Sequence, residues 1–201
     1  MIIVKDLSIK RLDKIIFENI NLSLSSKSII ILKGKNGSGK TTLLKTLINI
    51  IEPSVGSIYW KGKLLKKNLY DFYNNVTYIS DKTSSLTKLT VKDNVSIWKK
   101  IFLSNLNDSQ IETALKTLGL IKFLDQKVGT LSLGERKKLE LLRLIIENKK
   151  VWILDEPFSN LDEDSIELMK QTFEDHSAQE GAIIFSSHQN PGIYVTDEIN
   201  L

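Results

Sequence analysis

The sequence of 201 residues predicts an α/β fold with an antiparallel β subdomain and an inserted α-helical subdomain. Three observations predict this fold. Short runs of β-branched residues in the first third of the chain are followed by a glycine-rich turn and a helix. A long stretch with helical periodicity, from Lys82 to about Leu131, contains no strand-like alternation. Two further apolar runs, at residues 151–154 and 182–185, then resume the strand pattern around one more helix.

The first predicted elements are three strands and a helix. Apolar residues at positions 2–9 and 15–24 predict two strands. Residues 29–32 are apolar throughout, which is typical of a strand buried on both faces. A glycine-rich segment separates this strand from a helix with apolar positions from Leu43 to Ile51, and we expect Pro53 to end that helix.

The remaining elements complete one predicted domain over residues 1–201. Residues 56–60 and a turn at 61–63 predict an outlying hairpin, and residues 76–80 predict another strand. Ser- and Thr-rich segments at 83–90 and 107–109 begin predicted helices, and an acidic helix begins near Asp162 and ends before Gly181. We therefore expect an α/β core with its β subdomain at 1–81 and 151–201, a helical subdomain at about 82–131, and a connecting helix at 132–150.

Composition indicates a globular protein, with 41% hydrophobic and 26% charged residues. The longest apolar run has four residues, whereas a membrane-spanning helix needs roughly 20. The chain has no cysteine, so we expect no disulfide and a cytosolic location. The first 100 residues carry 18 of the 28 basic residues, but 25 of the 28 are lysine. This low share of arginine disfavours a nucleic-acid partner. We interpret the uneven distribution of basic residues along the chain as mainly compositional.

Residues 34–41 read GKNGSGKT and match the phosphate-binding pattern G-x-x-x-x-G-K-[ST] at every position. The string lies directly between a buried strand and a helix, which favours a phosphate loop over an ordinary glycine-rich turn. Glycines let backbone N–H groups wrap a phosphate. Lys40 is expected to reach the β- and γ-phosphates, and the Thr41 hydroxyl to bind Mg²⁺. The predicted ATP-binding residues of this loop are Gly34, Lys35, Asn36, Gly37, Ser38, Gly39, Lys40, Thr41 and Thr42.

Two carboxylates follow the apolar run at residues 151–154. Asp155 is placed to hold the water shell of Mg²⁺. Glu156 is the candidate general base that positions and deprotonates the attacking water. A solvated acidic strand end is the alternative interpretation, and the phosphate loop elsewhere in the chain favours the catalytic one.

Residues 131–135 read LSLGE and precede a helix with Leu139, Leu142 and Ile146 on one face. Taken alone, the string predicts a capping box with Ser132 as N-cap and Glu135 as the third helical residue. It lies after the helical insertion and 20 residues before the carboxylates. With the phosphate loop and the carboxylates, this order resembles the nucleotide-binding subunits of ABC transporters, in which LSGGQ marks the signature helix. The resemblance spans the whole chain.

The resemblance implies a homodimer that sandwiches ATP. The signature of one subunit would contact the ATP held by the phosphate loop of the other. It also implies that residues 159–162, SNLD, form the D-loop at the interface, with Asp162 as its acidic residue. His188 fits the switch histidine that hydrogen-bonds the γ-phosphate, although a strand-end histidine is otherwise most often a surface residue. The signature residues acting in trans would be Ser132, Leu133, Gly134 and Glu135.

Three positions depart from the ABC pattern. Asp81 stands where the family has the Q-loop glutamine, and it can still face Mg²⁺. Leu133 replaces a glycine of the signature. Arg11 lies near the position of the adenine-stacking aromatic residue, and its planar guanidinium can stack on a base. The resemblance thus implies Thr41, Asp155 and Asp81 as the residues that face Mg²⁺.

Within the ABC transporters the chain resembles the CcmA family, the ATP-binding subunits of the haem exporter in bacterial cytochrome c maturation. The resemblance rests on WILDEPF at 152–158, on residues 176–189 with their final SSHQ, on Arg11, and on the 13 residues that follow His188. Asp81 departs here too, since histidine is usual in that family. The resemblance implies ATP and Mg²⁺ as ligands and a second copy of the chain as a partner.

The same resemblance implies CcmB-like and CcmC-like membrane partners that dock on residues 82–131. It places the protein peripherally on the cytoplasmic face of the bacterial inner membrane. Direct haem binding is not expected, because the chain has no cysteine, no haem-attachment motif and only two histidines.

Three other functions are also compatible with the sequence. One is the ATPase subunit of another small-substrate ABC exporter. A second is a soluble ABC ATPase acting on ribosomes or in iron–sulfur assembly, and the ribosomal type usually pairs two such domains, which 201 residues cannot contain. A third is a non-hydrolysing nucleotide-gated module, against which Glu156 argues, since loss of that base would be its mark.

Overall fold

The computed structural model describes residues 1–12, 14–188 and 190–201. Asp13 and Gln189 lie outside the described residues, and Gln189 is the last residue of the SSHQ string. The described residues form the strands β1 (Ile2–Arg11), β2 (Lys14–Leu24), β3 (Ile29–Lys33), β4 (Val55–Trp60), β5 (Lys63–Leu64), β6 (Val76–Ile79), β7 (Val151–Leu154), β8 (Ala182–Ser186) and β9 (Asp197–Asn200). They also form the helices α1 (Lys40–Leu47), α2 (Leu69–Asn75), α3 (Val91–Ile101), α4 (Asp108–Thr117), α5 (Leu133–Glu147) and α6 (Glu163–Ala178).

A parallel sheet in the order β6-β7-β8-β3-β9 forms the centre of the molecule. Every residue of β7 and β8 is buried, as are the first four of β3, which explains why these strands are apolar without alternation. One face packs against α1 and the antiparallel sheet, and the opposite face packs against α5 and α6. Because the strands are parallel, all their carboxyl ends lie at one edge.

The second sheet is antiparallel and has the order β2-β1-β4-β5. The predicted hairpin at residues 56–63 corresponds to β4 and β5, but β4 also pairs with β1, so the hairpin is part of the sheet rather than an outlying unit. Trp60 in β4 pairs with Ile2 in β1 and is fully buried. Its indole N–H donates to the Asp71 carboxylate at the start of α2, which fixes α2 beneath the sheet.

The helix after the phosphate loop is shorter than its apolar pattern predicts. It ends at Leu47, so the prediction that Pro53 ends it is wrong. Asn49 has φ +58°, a left-handed conformation that stops a helix. The N–H of Ile50 then donates to the Lys45 carbonyl at 2.9 Å. Ile51 still packs on the core, which explains why the apolar pattern continues beyond the helix.

The helical region begins later than Lys82, because residues 82–90 form no helix. Helices begin at the two Ser- and Thr-rich segments, as predicted from the sequence. Thr90 caps α3 with Asp93, and Asn107 caps α4 with Gln110. Helices α3, α4 and α5 share one apolar cluster, and α5 also contributes to the cluster under the parallel sheet. Within the described ranges, no helix is both long and apolar enough to cross a bilayer.

Candidate functional site

Four adjacent strands of the parallel sheet bring the candidate residues to one edge. The phosphate loop follows β3, Asp81 follows β6, Asp155 and Glu156 follow β7, and His188 follows β8. Their loops enclose a cavity of about 400 Å³. Its lining comprises Ile16, Asn36, Gly37, Ser38, Gly39, Lys40, Thr41, Thr42, Asp81, Glu156, Ser159 and His188. Ligands of open α/β sheets bind at the carboxyl ends of the strands, so this cavity is the candidate active site.

The glycines of the phosphate loop are required by its shape. Gly34 has φ +151°, and a Cβ there would lie 2.6 Å from the Leu201 carbonyl oxygen. Gly39 has φ +109°, and its Cβ would lie 2.9 Å from Cγ2 of Ile16. Both positions therefore exclude a side chain. Gly39 is the N-cap of α1, so the unpaired N–H groups of the first helical turn are available to an anion.

The side chain of Lys40 folds back to the start of the phosphate loop. The side chain is buried, and Nζ donates to the carbonyl oxygen of Gly34 at 2.8 Å. The same Nζ lies 3.7 Å from Oε1 of Glu156. Ser38 Oγ is buried and has no hydrogen-bond partner among the described residues. A fixed ammonium group and an unsatisfied hydroxyl in a glycine-lined loop fit the oxygens of a bound phosphate.

Asp155 is buried below the cavity, with 2% of its surface exposed. Its Oδ1 accepts a hydrogen bond from Ser186 Oγ at 2.7 Å. The ammonium group of Lys137 lies 3.4 Å from the Asp155 carbonyl oxygen. Burial lowers the pKa of Lys137, while the charges of Asp81 and Asp155 act in the opposite direction. Burial raises the pKa of the Tyr78 hydroxyl, and the same two carboxylates add to that shift.

Glu156 faces the phosphate loop across the cavity. Its Oε1 lies 3.7 Å from Lys40 Nζ and 3.6 Å from Nε2 of His188. Its carbonyl oxygen accepts a hydrogen bond from Ser159 Oγ at 2.9 Å. The side chain is 19% exposed, so its carboxylate is accessible from the cavity while its neighbours hold it. The arrangement can orient a water molecule between the carboxylate and a bound phosphate.

The donor set at the cavity suits Mg²⁺. Thr41, the last residue of the phosphate loop, is exposed, and it lines the cavity together with Asp81. The described part of the chain contains no group of three or more His, Cys, Asp or Glu residues that could hold a metal ion. Mg²⁺ in nucleotide sites is usually held by one or two carboxylates, substrate phosphates and water. Thr41 and Asp81 at the cavity therefore fit an ion that binds together with the nucleotide, and Asp155, which is buried below the cavity, could reach such an ion through water.

The segment LSLGE begins α5 through the capping box predicted from the sequence. The N–H of Ser132 donates to Glu135 Oε2 at 2.8 Å, and the N–H of Glu135 donates to Ser132 Oγ at 3.2 Å. A Cβ on Gly134 would lie 2.7 Å from the Asn160 carbonyl oxygen, so only glycine permits this approach. Leu133 is 67% exposed. None of these four residues, 132–135, lines the cavity formed by the described residues.

Residues 159–162 form the turn between Glu156 and α6. Asp162 is the N-cap of α6, and its Oδ1 accepts from the backbone N–H of Ser165 at 2.9 Å. Its Oδ2 accepts from Nζ of Lys138 in α5 at 2.9 Å. Hydrogen bonds from Ser165 and Lys138 hold the pKa of Asp162 well below its usual value. The turn and the start of α5 are therefore joined.

The structure brings some of the predicted site residues to the cavity and leaves others away from it. The residues of the phosphate loop from Asn36 to Thr42 line it, together with Asp81, Glu156 and His188. Arg11 is exposed at the end of β1 and does not line the cavity, so its stacking on adenine stays a prediction. The sequence patterns did not place Ile16 at the cavity, and they placed Ser159 only in the D-loop string. Ile16 belongs to an ordinary strand pattern, and no pattern relates Ser159 to the carbonyl oxygen of Glu156.

Comparison with known proteins identifies relatives. Residues 17–159 match the model of the family described as ABC transporter. The chain is 37% identical over 186 residues to a cytochrome c biogenesis ATP-binding export protein CcmA from Reclinomonas americana, covering 91% of this chain and 82% of the relative.

Solved structures support the same fold. An ABC transporter ATP-binding protein from Pyrococcus furiosus superposes with a TM-score of 0.85 at 26% identity, covering 100% of this chain and 96% of that one. A dimeric ATP-binding cassette in a post-hydrolysis state with ADP and Pi superposes with a TM-score of 0.76 at 21% identity, covering 94% and 88%.

Proposed function

Because the chain belongs to the ABC transporter family, as an ATP-binding subunit that hydrolyses ATP, we propose that it powers haem export in cytochrome c maturation. The observation that carries the catalytic part is the convergence of Lys40, Glu156 and His188 on one cavity at the strand ends. The CcmA relative is similar over most of both chains, and its name, a cytochrome c biogenesis ATP-binding export protein, supports a role in export for cytochrome c maturation.

In the proposed mechanism, the backbone of residues 34–41 and Lys40 bind the β- and γ-phosphates of ATP. The ammonium group of Lys40 is already held at the Gly34 carbonyl oxygen, so little reorganisation is needed when the nucleotide binds. Glu156 accepts the proton of the attacking water as general base. His188 lies beside Glu156 and donates a hydrogen bond to a γ-phosphate oxygen.

Thr41, Asp155 and Asp81 hold Mg²⁺ in this proposal, Asp155 through the water shell of the ion. When bound, the ion neutralises charge on the β- and γ-phosphate oxygens. Asp155 is buried and has one oxygen bonded to Ser186, so its carboxylate orientation is fixed before any ligand arrives. Arg11 is proposed to stack on the adenine base, from its exposed place at the end of β1.

We propose that the active form is a homodimer. Ser132, Leu133, Gly134 and Glu135 lie outside their own cavity, and Leu133 exposes an apolar side chain. The capped start of α5 leaves N–H groups that can face an anion on another molecule. The D-loop residue Asp162 is bonded to Lys138 of α5 and so lies close to the start of that helix. A dimer in which each signature closes over the partner's ATP uses all of these groups.

The proposed membrane partners are CcmB-like and CcmC-like subunits, which dock on residues 82–131. The protein would then lie peripherally on the cytoplasmic face of the bacterial inner membrane. In this assembly the ATPase supplies energy and does not touch haem. ATP hydrolysis would drive delivery of haem to its periplasmic chaperone, or release of haem from the complex.

A complementation experiment tests the haem proposal. The chain is expressed with its membrane subunits in a bacterial strain without its own haem-exporter ATPase, and haem-stained cytochrome c is measured. We expect restored cytochrome c with the wild-type chain, none with Glu156→Gln, and wild-type levels with the matched surface variant Glu163→Gln. Co-purification with the membrane subunit of another transporter, without restored cytochrome c, would show that a different substrate is exported.

A further inference from the structure

A single serine hydroxyl connects the two carboxylate residues of the site. Ser186 is the last residue of β8 and is fully buried. Its Oγ donates to Asp155 Oδ1 at 2.7 Å and accepts from the backbone N–H of Glu156 at 2.9 Å. A hydroxyl has one donor and two acceptor sites, so both bonds can form at the same time. Ser186 itself does not line the cavity.

The backbone of Glu156 needs external support. Its φ of +47° lies in the left-handed region, which residues with a Cβ rarely adopt. Such conformations persist where surrounding groups fix them, and they concentrate at functional sites. Ser186 fixes the N–H of Glu156, and Ser159 fixes its carbonyl oxygen through the 2.9 Å hydroxyl bond. The two peptide groups that flank Glu156 are therefore both held.

We propose that Ser186 is a positioning residue for ATP hydrolysis. It holds the Glu156 backbone so that the carboxylate faces Lys40 and His188, and it orients the Asp155 carboxylate from below. The proposal rests on the role of Glu156 as general base. It assigns a function to Ser186, which lies two residues before the switch histidine and for which the sequence patterns imply no role. Because it acts through its neighbours, Ser186 affects the rate of hydrolysis more than the binding of ATP.

A serine that only stabilised the fold would change Tm but not kcat, so the test uses three variants. Ser186→Ala removes one oxygen atom and both hydrogen bonds. Ser186→Thr keeps the hydroxyl on a residue that strands favour. Ser28→Ala is the matched control, because Ser28 is also buried, bonds Ser25 through its hydroxyl at 2.9 Å, and lies at the opposite end of the sheet from the cavity.

Steady-state ATP hydrolysis separates rate from binding. For Ser186→Ala we expect kcat to fall by about 10- to 100-fold with KM for ATP within about threefold, because a small misplacement of a catalytic group costs this much. Ser186→Thr should recover most of kcat. Ser28→Ala should lower Tm by as much as Ser186→Ala but keep kcat. Wild-type kcat in Ser186→Ala, or a raised KM with unchanged kcat, would overturn the proposal.

Amide hydrogen exchange of the nucleotide-free protein gives a readout that does not depend on activity. The Glu156 amide should exchange at least about tenfold faster in Ser186→Ala than in the wild type, and at the wild-type rate in Ser28→Ala. Unchanged exchange in Ser186→Ala would contradict the anchoring of Glu156. A wild-type protein without ATPase activity would refute the role of Glu156 instead, and the exchange rates would still decide whether Ser186 holds its backbone.

Discussion

Lys40 and Glu156 show how the site arranges opposite charges before a ligand binds. The Lys40 ammonium lies 3.7 Å from the Glu156 carboxylate, and both side chains are largely shielded from water. Lys40 is also bonded to the Gly34 carbonyl oxygen, so its position does not depend on Glu156 alone. A bound phosphate would replace Glu156 as the negatively charged partner of Lys40 and leave the carboxylate free to act on water.

We expect Lys40→Ala to weaken ATP binding by about 10- to 100-fold, because a charge-assisted hydrogen bond contributes roughly 1.5–3 kcal/mol. Titration calorimetry with ATP and Mg²⁺ measures the loss. Lys45→Ala is the control, since Lys45 lies on the same helix but does not line the cavity. Equal affinities for the wild type and Lys40→Ala would disprove the assignment of the phosphate loop.

Sequence patterns identified the residues whose chemistry requires a fixed spacing. The place of the phosphate loop and of the pair Asp155–Glu156 at the strand ends was predictable, because each follows a buried apolar run. Their roles toward a phosphate and a metal ion stay predictions. Ser186 and Ile16 were not predictable. Their roles depend on which strands are neighbours and on a backbone conformation at Glu156, and a single serine or isoleucine in a strand carries no such information.

Helix α5 connects the helical region to the parallel sheet through buried charges. Glu140 accepts hydrogen bonds from Thr83, Ser84 and Ser85, which follow Asp81 in the chain. Arg143 bonds Glu147, and Glu147 accepts from Thr77 Oγ1 in β6 at 2.8 Å. The segments on both sides of Asp81 are therefore fixed to one helix, which supports the position of Asp81 at the cavity.

The two glutamates of α5 respond to pH in opposite directions. Burial alone would raise the pKa of Glu140, but hydrogen bonds from Ser84, Ser85 and Thr83 outweigh it and hold the pKa below 4.5. Burial raises the pKa of Glu147 above 4.5, despite the opposing effect of Arg143. Glu140 therefore stabilises the fold above pH 4.5, and this contribution is lost as pH falls through its lowered pKa. Ionisation of Glu147 instead costs stability as pH rises through its raised pKa.

We expect Glu140→Gln to reduce the free energy of unfolding at pH 7 by about 2 kcal/mol, because several buried donors lose a charged acceptor. The loss should shrink as pH falls from 4.5 through the lowered pKa of Glu140, because the carboxylate is then protonated in the folded wild type as well. Urea unfolding at several pH values measures both effects.

The control is Glu112→Gln. Glu112 forms an exposed pair with Lys116 in α4, and such pairs contribute no more than about 1 kcal/mol. Equal, pH-independent losses for the two variants would contradict the account of α5.

At the scale of the whole molecule, the sheet order explains how distant residues meet. Positions 34–41, 81, 155–156 and 188 are adjacent because β6, β7, β8 and β3 are neighbouring parallel strands. The alternation of strands and helices predicted this architecture. The pairing of β9 beside β3 was not predictable, because β9 has three exposed residues and one half-buried isoleucine and lacks the apolar pattern of a central strand.

In the proposed dimer, the cavity of one chain and residues 132–135 of the other form one ATP site. The cavity carries the groups that we propose to bind and hydrolyse ATP, and residues 132–135 do not line it. One chain therefore presents a phosphate site and a signature that its own cavity does not use. Two copies related by a twofold axis would complete two sites, and closure around ATP would be the step that moves the membrane partner.

The most direct test is Glu156→Gln with ATP and Mg²⁺, followed by measurement of phosphate release and of molecular mass by light scattering. We predict no turnover and a stable ATP-bound dimer, because the variant keeps the binding groups but lacks the base. Glu163→Gln, which changes an exposed carboxylate in the first turn of α6, should hydrolyse ATP like the wild type. Glu156→Gln that hydrolyses ATP at the wild-type rate, or that stays monomeric with bound ATP, would contradict the account.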